Sequence, residues 1–509
     1  MKCLQLLQSR ILGSCGRSRA HSPLKNYNRL SSTTTNSQAV LQKDLKSLFS
    51  NPPLENSFVQ TQGWIRSVRS MKKIAFVDLS DGTTFNSIMI VTSPEIAKDL
   101  QTGSSIMAKG SWVKSKGKNQ LYELSVTKPE DLQVIGNVEE NYPLQKKFHT
   151  AEFIRSLPTL KFHTSKLSTV MRSRSFMEYK LQEFFQSENF IKVNPPLITG
   201  SDCEGAGELF QVESASVVAK KLANPQDKQI TPFFGKNSYL TVSTQLHLEI
   251  LAQSLSKVWA LSPCFRAEAS DTNRHLSEFW MLEAEIAFVD KVDQLTWFSE
   301  RMIKHVINGI LTNENGALDN LLKNSKRSKE ELLEIENRLK VLQDNNKNWY
   351  QITYNEAMDL LLSSGKNDWK YLPPVRGSSL STEHEKYLTN EVLKAPVFVT
   401  DYPKDEKAFY MKINPDNETV ACYDLLFPVM GELIGGSVRE SNYDVLLKEI
   451  ERRQMSLPDL QWYLNLRKNG SVPHGGFGMG FERLVSFVCN IDNIKDAIPL
   501  SRSIDNCDC

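Results

Sequence analysis

Phe265-Arg266-Ala267-Glu268-Ala269-Ser270-Asp271-Thr272-Asn273-Arg274-His275-Leu276-Ser277-Glu278-Phe279-Trp280-Met281-Leu282-Glu283-Ala284-Glu285 is the stretch that decides the fold of this 509-residue chain. Apolar ends flank a polar loop, the pattern of a long antiparallel hairpin. Cations, an aromatic ring and carboxylates alternate within it, a mixture that suits a triphosphate neutralised by Arg and His while a base stacks on Phe279. Taken singly, each residue reads as a surface ion pair. Their combination is what points to a nucleotide.

Two further segments carry chemistry. His474-Gly475-Gly476-Phe477-Gly478-Met479-Gly480-Phe481-Glu482-Arg483 runs into the apolar helical stretch Leu484-Val485-Ser486-Phe487-Val488. The chain has no GxxxxGK[ST], and Arg483 stands where a dinucleotide fold would place its third glycine, so this is neither a P-loop nor a Rossmann turn. Gly478 and Gly480 allow a backbone to approach a flat ring, and Arg483 in the first helical turn can lie on a purine or grip a phosphate. Asp424 precedes Glu432-Leu433-Ile434-Gly435-Gly436-Ser437-Val438-Arg439. Two carboxylates eight apart, on a strand and its returning partner, could hold Mg²⁺ through oxygen ligands; the alternative is a solvated sheet edge.

N-terminal to this region, Ser168 to Ser187 is helical in spacing and leads into Phe190-Ile191-Lys192-Val193-Asn194-Pro195-Pro196, extended because proline fixes φ and biases its predecessor away from helix. Between Ser57 and Ile135 five short alternating stretches with basic loops suit a small OB-type barrel, a fold that often binds single-stranded nucleic acid, although a generic all-β domain has the same pattern. The resulting organisation is a leader over 1–35, a barrel over 36–145, a hinge over 146–158 and a catalytic domain over 159–509. A helical insertion at about 313–348 places Leu332, Ile335, Leu339 and Leu342 at heptad-like intervals, read as a surface helix packing on its own domain, with a partner coiled coil as the alternative.

Composition narrows the class. Hydrophobic residues at 40% and charged residues at 24% describe a globular chain, and no apolar run approaches the ~18 residues of a membrane span. A net charge of +2 requires any nucleic-acid binding to come from local clusters of Lys and Arg. Eight cysteines with no CxxC imply neither a disulfide framework nor a zinc site. The first acidic residue is Asp44, preceded by Lys2, Arg10, Arg17, Arg19, Lys25 and Arg29 among many Ser and Thr. That is mitochondrial presequence composition; a basic tail that stays attached is the alternative.

Phe265-Arg266-Ala267-Glu268 through Arg274-His275 resembles motif 2 of the class II aminoacyl-tRNA synthetases, Gly478-Met479-Gly480-Phe481-Glu482-Arg483 resembles motif 3, and the stretch ending at Pro196 resembles motif 1. With the barrel in front, the layout is that of the Asp/Asn/Lys subgroup. Gly200-Ser201-Asp202-Cys203-Glu204-Gly205-Ala206-Gly207-Glu208, His275 to Glu283 and Ile434 to Ser437 resemble the asparaginyl members, and their mitochondrial fungal type above all. The resemblance implies an α+β fold, an OB barrel plus an antiparallel sheet flanked by helices. It further implies ATP and Mg²⁺, asparagine and tRNA-Asn as substrates, a homodimer through motif 1, and a place in the mitochondrial matrix. On it, Arg266 serves the α-phosphate and amino-acid carboxylate, His275 and Arg483 the distal phosphates, Glu268 and Phe279 the nucleotide, and Asp424 and Glu432 the metal. Glu204, Gln245, Glu283 and Arg439 would bind asparagine, and Phe76 and Arg274 the tRNA.

Side-chain choice follows from the residues. Where aspartyl enzymes place a Lys, Ser243-Thr244-Gln245-Leu246-His247-Leu248-Glu249 carries Leu248, so a substrate carboxylate lacks its cation. Glu283 can accept from an amide NH2 and Arg439 can donate to its oxygen. Two departures from the family pattern stand out: Met89 replaces the Gln usual on the strand after Phe76, and Ile498-Pro499-Leu500-Ser501-Arg502 replaces Pro-Phe-Pro-Arg. The competing readings are an aspartyl enzyme, either specific or also charging tRNA-Asn, a non-catalytic RNA-binding paralogue, and a tRNA-independent asparagine synthetase.

Overall fold

The computed structural model describes residues 40–117, 120–201, 209–227, 229–270, 272–323, 328–343 and 348–509. The expected presequence and the 202–208 part of the glycine-rich loop, with Glu204, lie outside the described residues.

The N-terminal domain comprises β1 (Leu41–Gln42), α1 (Leu45–Ser50), β2 (Phe58–Ser70), β3 (Ala75–Ser80), β4 (Ile88–Thr92), β5 (Ser105–Lys114), β6 (Tyr122–Ser125) and β7 (Leu132–Gly136). Strict alternation drives it: in β5, Ile106, Ala108 and Trp112 are buried while their neighbours face outward. The order β2-β3-β4-β6-β5, with β5 pairing back onto β2, closes a five-stranded barrel, as the sequence predicts. Helix α1 was not legible as a helix, being only six residues long; Asp44 caps it by accepting from the Ser47 N–H, and Leu45 and Leu48 bury in the barrel core.

The expected hinge is more structured than a linker. Thr150 caps α2 (Ala151–Arg155) by accepting from the Phe153 N–H, and Arg155 pairs with Asp496 at 2.9 Å, tying the segment to the catalytic domain.

That domain continues through α3 (Ser165–Ser187), β8 (Ile191–Lys192), β9 (Ile198–Thr199), β10 (Gln211–Val212), α4 (Ala215–Ala223), β11 (Ser238–Leu240), α5 (Gln245–Leu255), β12 (Lys257–Phe265), β13 (Glu278–Ala287), α6 (Val292–Leu311), α7 (Ala317–Lys323) and α8 (Lys329–Gln343). It closes with β14 (Tyr350–Thr353), α9 (Tyr354–Leu362), α10 (Thr382–Tyr387), β15 (Val397–Thr400), β16 (Cys422–Phe427), β17 (Gly431–Val438), α11 (Tyr443–Arg452), α12 (Leu457–Asn465), β18 (His474–Gly480) and α13 (Phe481–Cys489). Its large sheet runs β14-β15-β16-β17-β18-β13-β12-β8, antiparallel from β15 to β12 and parallel only at its two edges.

Helix α3 buries Val170, Met177, Leu181, Phe184 and Phe185 against this sheet, and Phe185 stacks on Trp259 of β12 with ring centroids 4.5 Å apart. Burial of such side chains contributes roughly 1.5–3 kcal/mol each. In the insertion, Ile335, Leu339 and Leu342 of α8 join the same core, so the heptad-like spacing serves packing within the domain. No helix among the described residues is long and apolar enough to cross a membrane.

Candidate active site

The hairpin of β12 and β13 pairs in unbroken register from Lys257 opposite Ile286 to Phe265 opposite Glu278. On its other edge β13 meets β18, where Met281, Glu283 and Glu285 face Gly480, Gly478 and Gly476. The glycine run therefore has a second use beyond admitting a flat ring: it leaves room on one sheet face for the side chains opposite. A Cβ on Gly476 would stand 2.0 Å from a Glu285 carboxylate oxygen and 2.2 Å from the Ala284 carbonyl oxygen.

Over this face opens a cavity of about 640 Å³ lined by Gln245, Arg266, Glu268, Arg274, His275, Phe279, Glu283, Asp424, Glu432, Arg439 and Arg483 among others. All candidates of the catalytic domain among the described residues are thus brought together from α5, β13, β16, β17 and α13, the loop between β12 and β13, and Arg439 just past the end of β17. Phe76 lies elsewhere, on β3 of the barrel, with the Arg69 guanidinium 5.6 Å from its ring centroid. Arg274, expected at the tRNA, lines the cavity, where burial and the nearby Arg483 charge lower its pKa.

One wall is partly exposed. The Arg266 guanidinium lies 5.5 Å from the Phe279 ring centroid and 4.0 Å from Glu268, and His275 Nε2 lies 3.7 Å from Glu268. His275 Nδ1 is 2.6 Å from Thr272 Oγ1. At the start of α13, Arg483 donates to the Glu432 backbone carbonyl at 2.8 Å and reaches its carboxylate at 3.4 Å. The C-terminal tail closes back on the hairpin, the Ser277 N–H donating to the Arg502 carbonyl at 2.8 Å.

An acidic corner joins that wall. A Cβ on Gly435 would meet Glu432 Oε1 at 3.2 Å and Asp424 Oδ1 at 3.5 Å, so both carboxylates converge over the bare backbone of one glycine. Two residues the sequence reading missed stand beside them. Glu385 of α10 accepts from the Glu432 N–H at 3.1 Å, and burial together with the Glu432 charge pushes its carboxyl up to about 7. Lys407 donates to Asp424 at 2.6 Å. An all-carboxylate donor set crowded by like charge fits a hard divalent cation such as Mg²⁺.

Beneath the opposite wall lies a layer of buried ions. Both Glu283 oxygens accept from the Ser243–Thr244 turn: from the Thr244 N–H at 3.1 and 2.9 Å and from both hydroxyls. Arg439, 2% exposed, donates through Nε and Nη2 to Glu285 at 3.2 and 3.0 Å and through Nη1 to Ser437 at 2.7 Å. Leu248 packs with Ala252, Val258 and Ala260 and supplies no charge here. Glu249, Glu285, Arg467, His474 and Tyr463 form the rest of this layer and escaped the sequence reading, because nothing in one-dimensional spacing separates a buried charge from a solvated one.

A six-stranded antiparallel core whose central hairpin presents an arginine and a stacking ring, beside a glycine-rich strand entering an arginine-bearing helix, defines a class II synthetase catalytic domain. Residues 151–503 match the family described as tRNA synthetases class II (D, K and N), and residues 59–135 match the OB-fold nucleic acid binding domain. The chain belongs to this family of class II tRNA synthetases. It is 47% identical over 466 residues to the mitochondrial asparagine-tRNA ligase of Saccharomyces cerevisiae, covering 87% of this chain and 92% of that one. With the mitochondrial asparagine-tRNA ligase of Schizosaccharomyces pombe it shares 43% over 470 residues, 91% and 98% of the two chains. Among solved structures, asparaginyl-tRNA synthetase from Pyrococcus horikoshii complexed with asparaginyl-adenylate superposes with a TM-score of 0.78 at 30% identity, covering 91% of this chain and 99% of that one.

Proposed function

We propose that this chain activates asparagine with ATP and transfers it to tRNA-Asn in mitochondria. The observation that carries the reading is the closed ion layer under the cavity: Arg439 is already held by Glu285, and Leu248 offers no cation to a substrate carboxylate. An amide can accept from a remaining Arg439 N–H and donate toward Glu283, whereas a carboxylate would face Glu283 as a like charge.

In the first step an oxygen of the asparagine carboxylate attacks the α-phosphorus of ATP and pyrophosphate leaves, giving asparaginyl-adenylate. Transfer follows when the terminal ribose 3'-OH of the tRNA attacks the activated carbonyl and AMP leaves. No enzyme nucleophile is needed, and catalysis is positioning plus neutralisation of phosphate charge. Arg266 faces the α-phosphate and the amino-acid carboxylate; His275 and Arg483 take the distal phosphates; Phe279 and Arg483 sandwich adenine; Gln245 and Glu204 orient the amino acid. Asp424 and Glu432 would hold Mg²⁺, which when bound adds positive charge against the phosphates. Phe76 offers a ring on which an anticodon base can stack, a contact worth roughly 1–3 kcal/mol.

Two further parts of the reading concern assembly and address. Ile191 on the edge strand β8, with Leu255 at the end of α5 and Phe288 on the turn after β13, stands exposed at one end of the sheet, supporting a homodimer through this edge. The acid-free basic leader and the mitochondrial relatives support import into the matrix. The test is ATP–pyrophosphate exchange on the purified full chain with asparagine, aspartate or lysine. Exchange with asparagine alone is expected; exchange driven by aspartate overturns the substrate reading.

A further inference from the structure

Glu249 is fully buried and does not line the cavity, yet five side chains converge on it. Arg467 donates to it at 2.8 Å, the Tyr463 hydroxyl at 2.9 and 2.8 Å, His474 Nε2 at 3.0 Å and Gln245 at 3.2 Å, while Arg439 Nε stands 4.0 Å away. Two of these neighbours, Gln245 and Arg439, line the cavity itself. Such a carboxylate sits one layer behind the residues that touch substrate and connects them to each other.

The charges in this layer can be counted from hydrogen-bond geometry. His474 Nδ1 lies 2.8 Å from the Val472 carbonyl, nearer than the Gln253 amide at 3.5 Å, and Nε2 faces the Glu249 carboxylate. Both near partners are acceptors, so both ring nitrogens carry protons and His474 is a cation. Glu285 is ionised because both its oxygens accept from Arg439, and Glu283 accepts at both oxygens as well. Among the described residues, three anions, Glu249, Glu283 and Glu285, therefore balance three cations, Arg439, Arg467 and His474. Glu249, Glu285 and His474 bring ligand atoms within 4.8 Å of one another, but the two arginines already supply the counter-charge a metal would bring.

We propose that Glu249 is a positioning residue for side-chain selection, fixing Gln245 and Arg439 and supplying the anion that makes the buried layer neutral before substrate arrives. This rests on the asparagine reading above. A neutral side-chain amide then enters without adding charge, whereas a carboxylate adds a fourth anion to a balanced site in low dielectric, where an uncompensated charge is costly. Selectivity against aspartate thus resides partly in a group that never touches substrate.

The experiment measures, by ATP–pyrophosphate exchange on the full chain at pH 7, KM and kcat for asparagine and the inhibition constant of aspartate as its competitor. In Glu249→Gln, which keeps the shape and removes the charge, KM for asparagine rises at least tenfold with kcat changed less than threefold. The ratio of the aspartate Ki to the asparagine KM falls at least tenfold, because the layer now carries an excess cation that a carboxylate relieves. Arg467→Met shifts the balance the opposite way and raises that ratio above wild type. A packing role predicts KM and Ki moving together, and a ratio within twofold of wild type in both variants overturns the proposal. Should Glu249→Gln fail to fold, as read by its thermal transition, Arg467→Met decides alone: a ratio that falls or stays fixed overturns it. Wild-type chain exchanging with aspartate in place of asparagine would instead remove the substrate reading beneath it.

Discussion

The two walls of the cavity are built on opposite electrostatic plans. On the wall proposed to take the nucleotide, the Arg266, His275 and Arg483 side chains are 34%, 44% and 41% exposed, with carboxylate contacts at 4.0, 3.7 and 3.4 Å. On the side-chain side, Arg439, Glu285, Glu249 and Arg467 are at most 2% exposed and bonded at 2.8–3.2 Å. Cations left partly exposed stay hydrated and keep room to turn onto an incoming anion. Groups that must tell an amide from a carboxylate act through fixed dipoles and charge, which requires burial and full pairing.

The largest expected effect comes from the exposed wall. Arg266→Ala is expected to lower kcat/KM for pyrophosphate exchange roughly 10²–10³-fold, as for loss of one donor to developing charge, with Lys restoring little because the planar fork is lost. A milder loss would mean that His275 and Arg483 neutralise the phosphates without it. The next largest belongs to the buried layer and to stability: Gly476→Ala drives a Cβ into the Glu285 carboxylate and the Ala284 carbonyl. Overpacking of this kind costs about 1–3 kcal/mol, read as a lowered thermal midpoint.

A pH scan sharpens the contrast. Burial alone would lower the His474 pKa, but the Glu249 bond outweighs it and raises the pKa above the unfolded value of 6.5. A raised histidine adds stability that is fully present below about pH 6.5 and is lost as pH rises through the folded value. Wild-type chain should therefore lose midpoint temperature on the alkaline side relative to His474→Gln, whose profile lacks that component; parallel profiles would show that His474 is not charged. The smallest effect tests the exposed wall once more. Glu268→Gln, which cancels contacts at 3.7 and 4.0 Å between half-exposed groups, should shift unfolding free energy by less than about 1 kcal/mol in denaturant titration.

Much of this was legible residue by residue. Alternation gave the five barrel strands, and apolar ends around a polar loop gave the β12–β13 hairpin, because a period of two survives in one dimension. Arg266, Phe279 and Arg483 were legible because a charged or aromatic residue inside an otherwise apolar strand or helix entrance stands out. Helix α1 was too short for a periodic pattern, and the helix within the expected hinge was hidden by its brevity and by Pro158. Lys407 and Glu385 were missed because they come from segments with no pattern of their own, joined to the site only by folding.

By itself the sequence determined the two-domain order, the antiparallel hairpin, the cations of its loop and of the α13 entrance, and the absence of a lysine at Leu248, all of which depend on residue type and local period. The tertiary structure alone decided which charges are used up. Glu249, Glu285, Arg467 and His474 are scattered over 226 positions, from 249 to 474 inclusive, and only the sheet and the helices packed on it bring them within hydrogen-bond distance. Whether an ionisable side chain is a solvated surface group or part of a balanced buried layer depends on what excludes water from it, and that is settled by packing from distant parts of the chain.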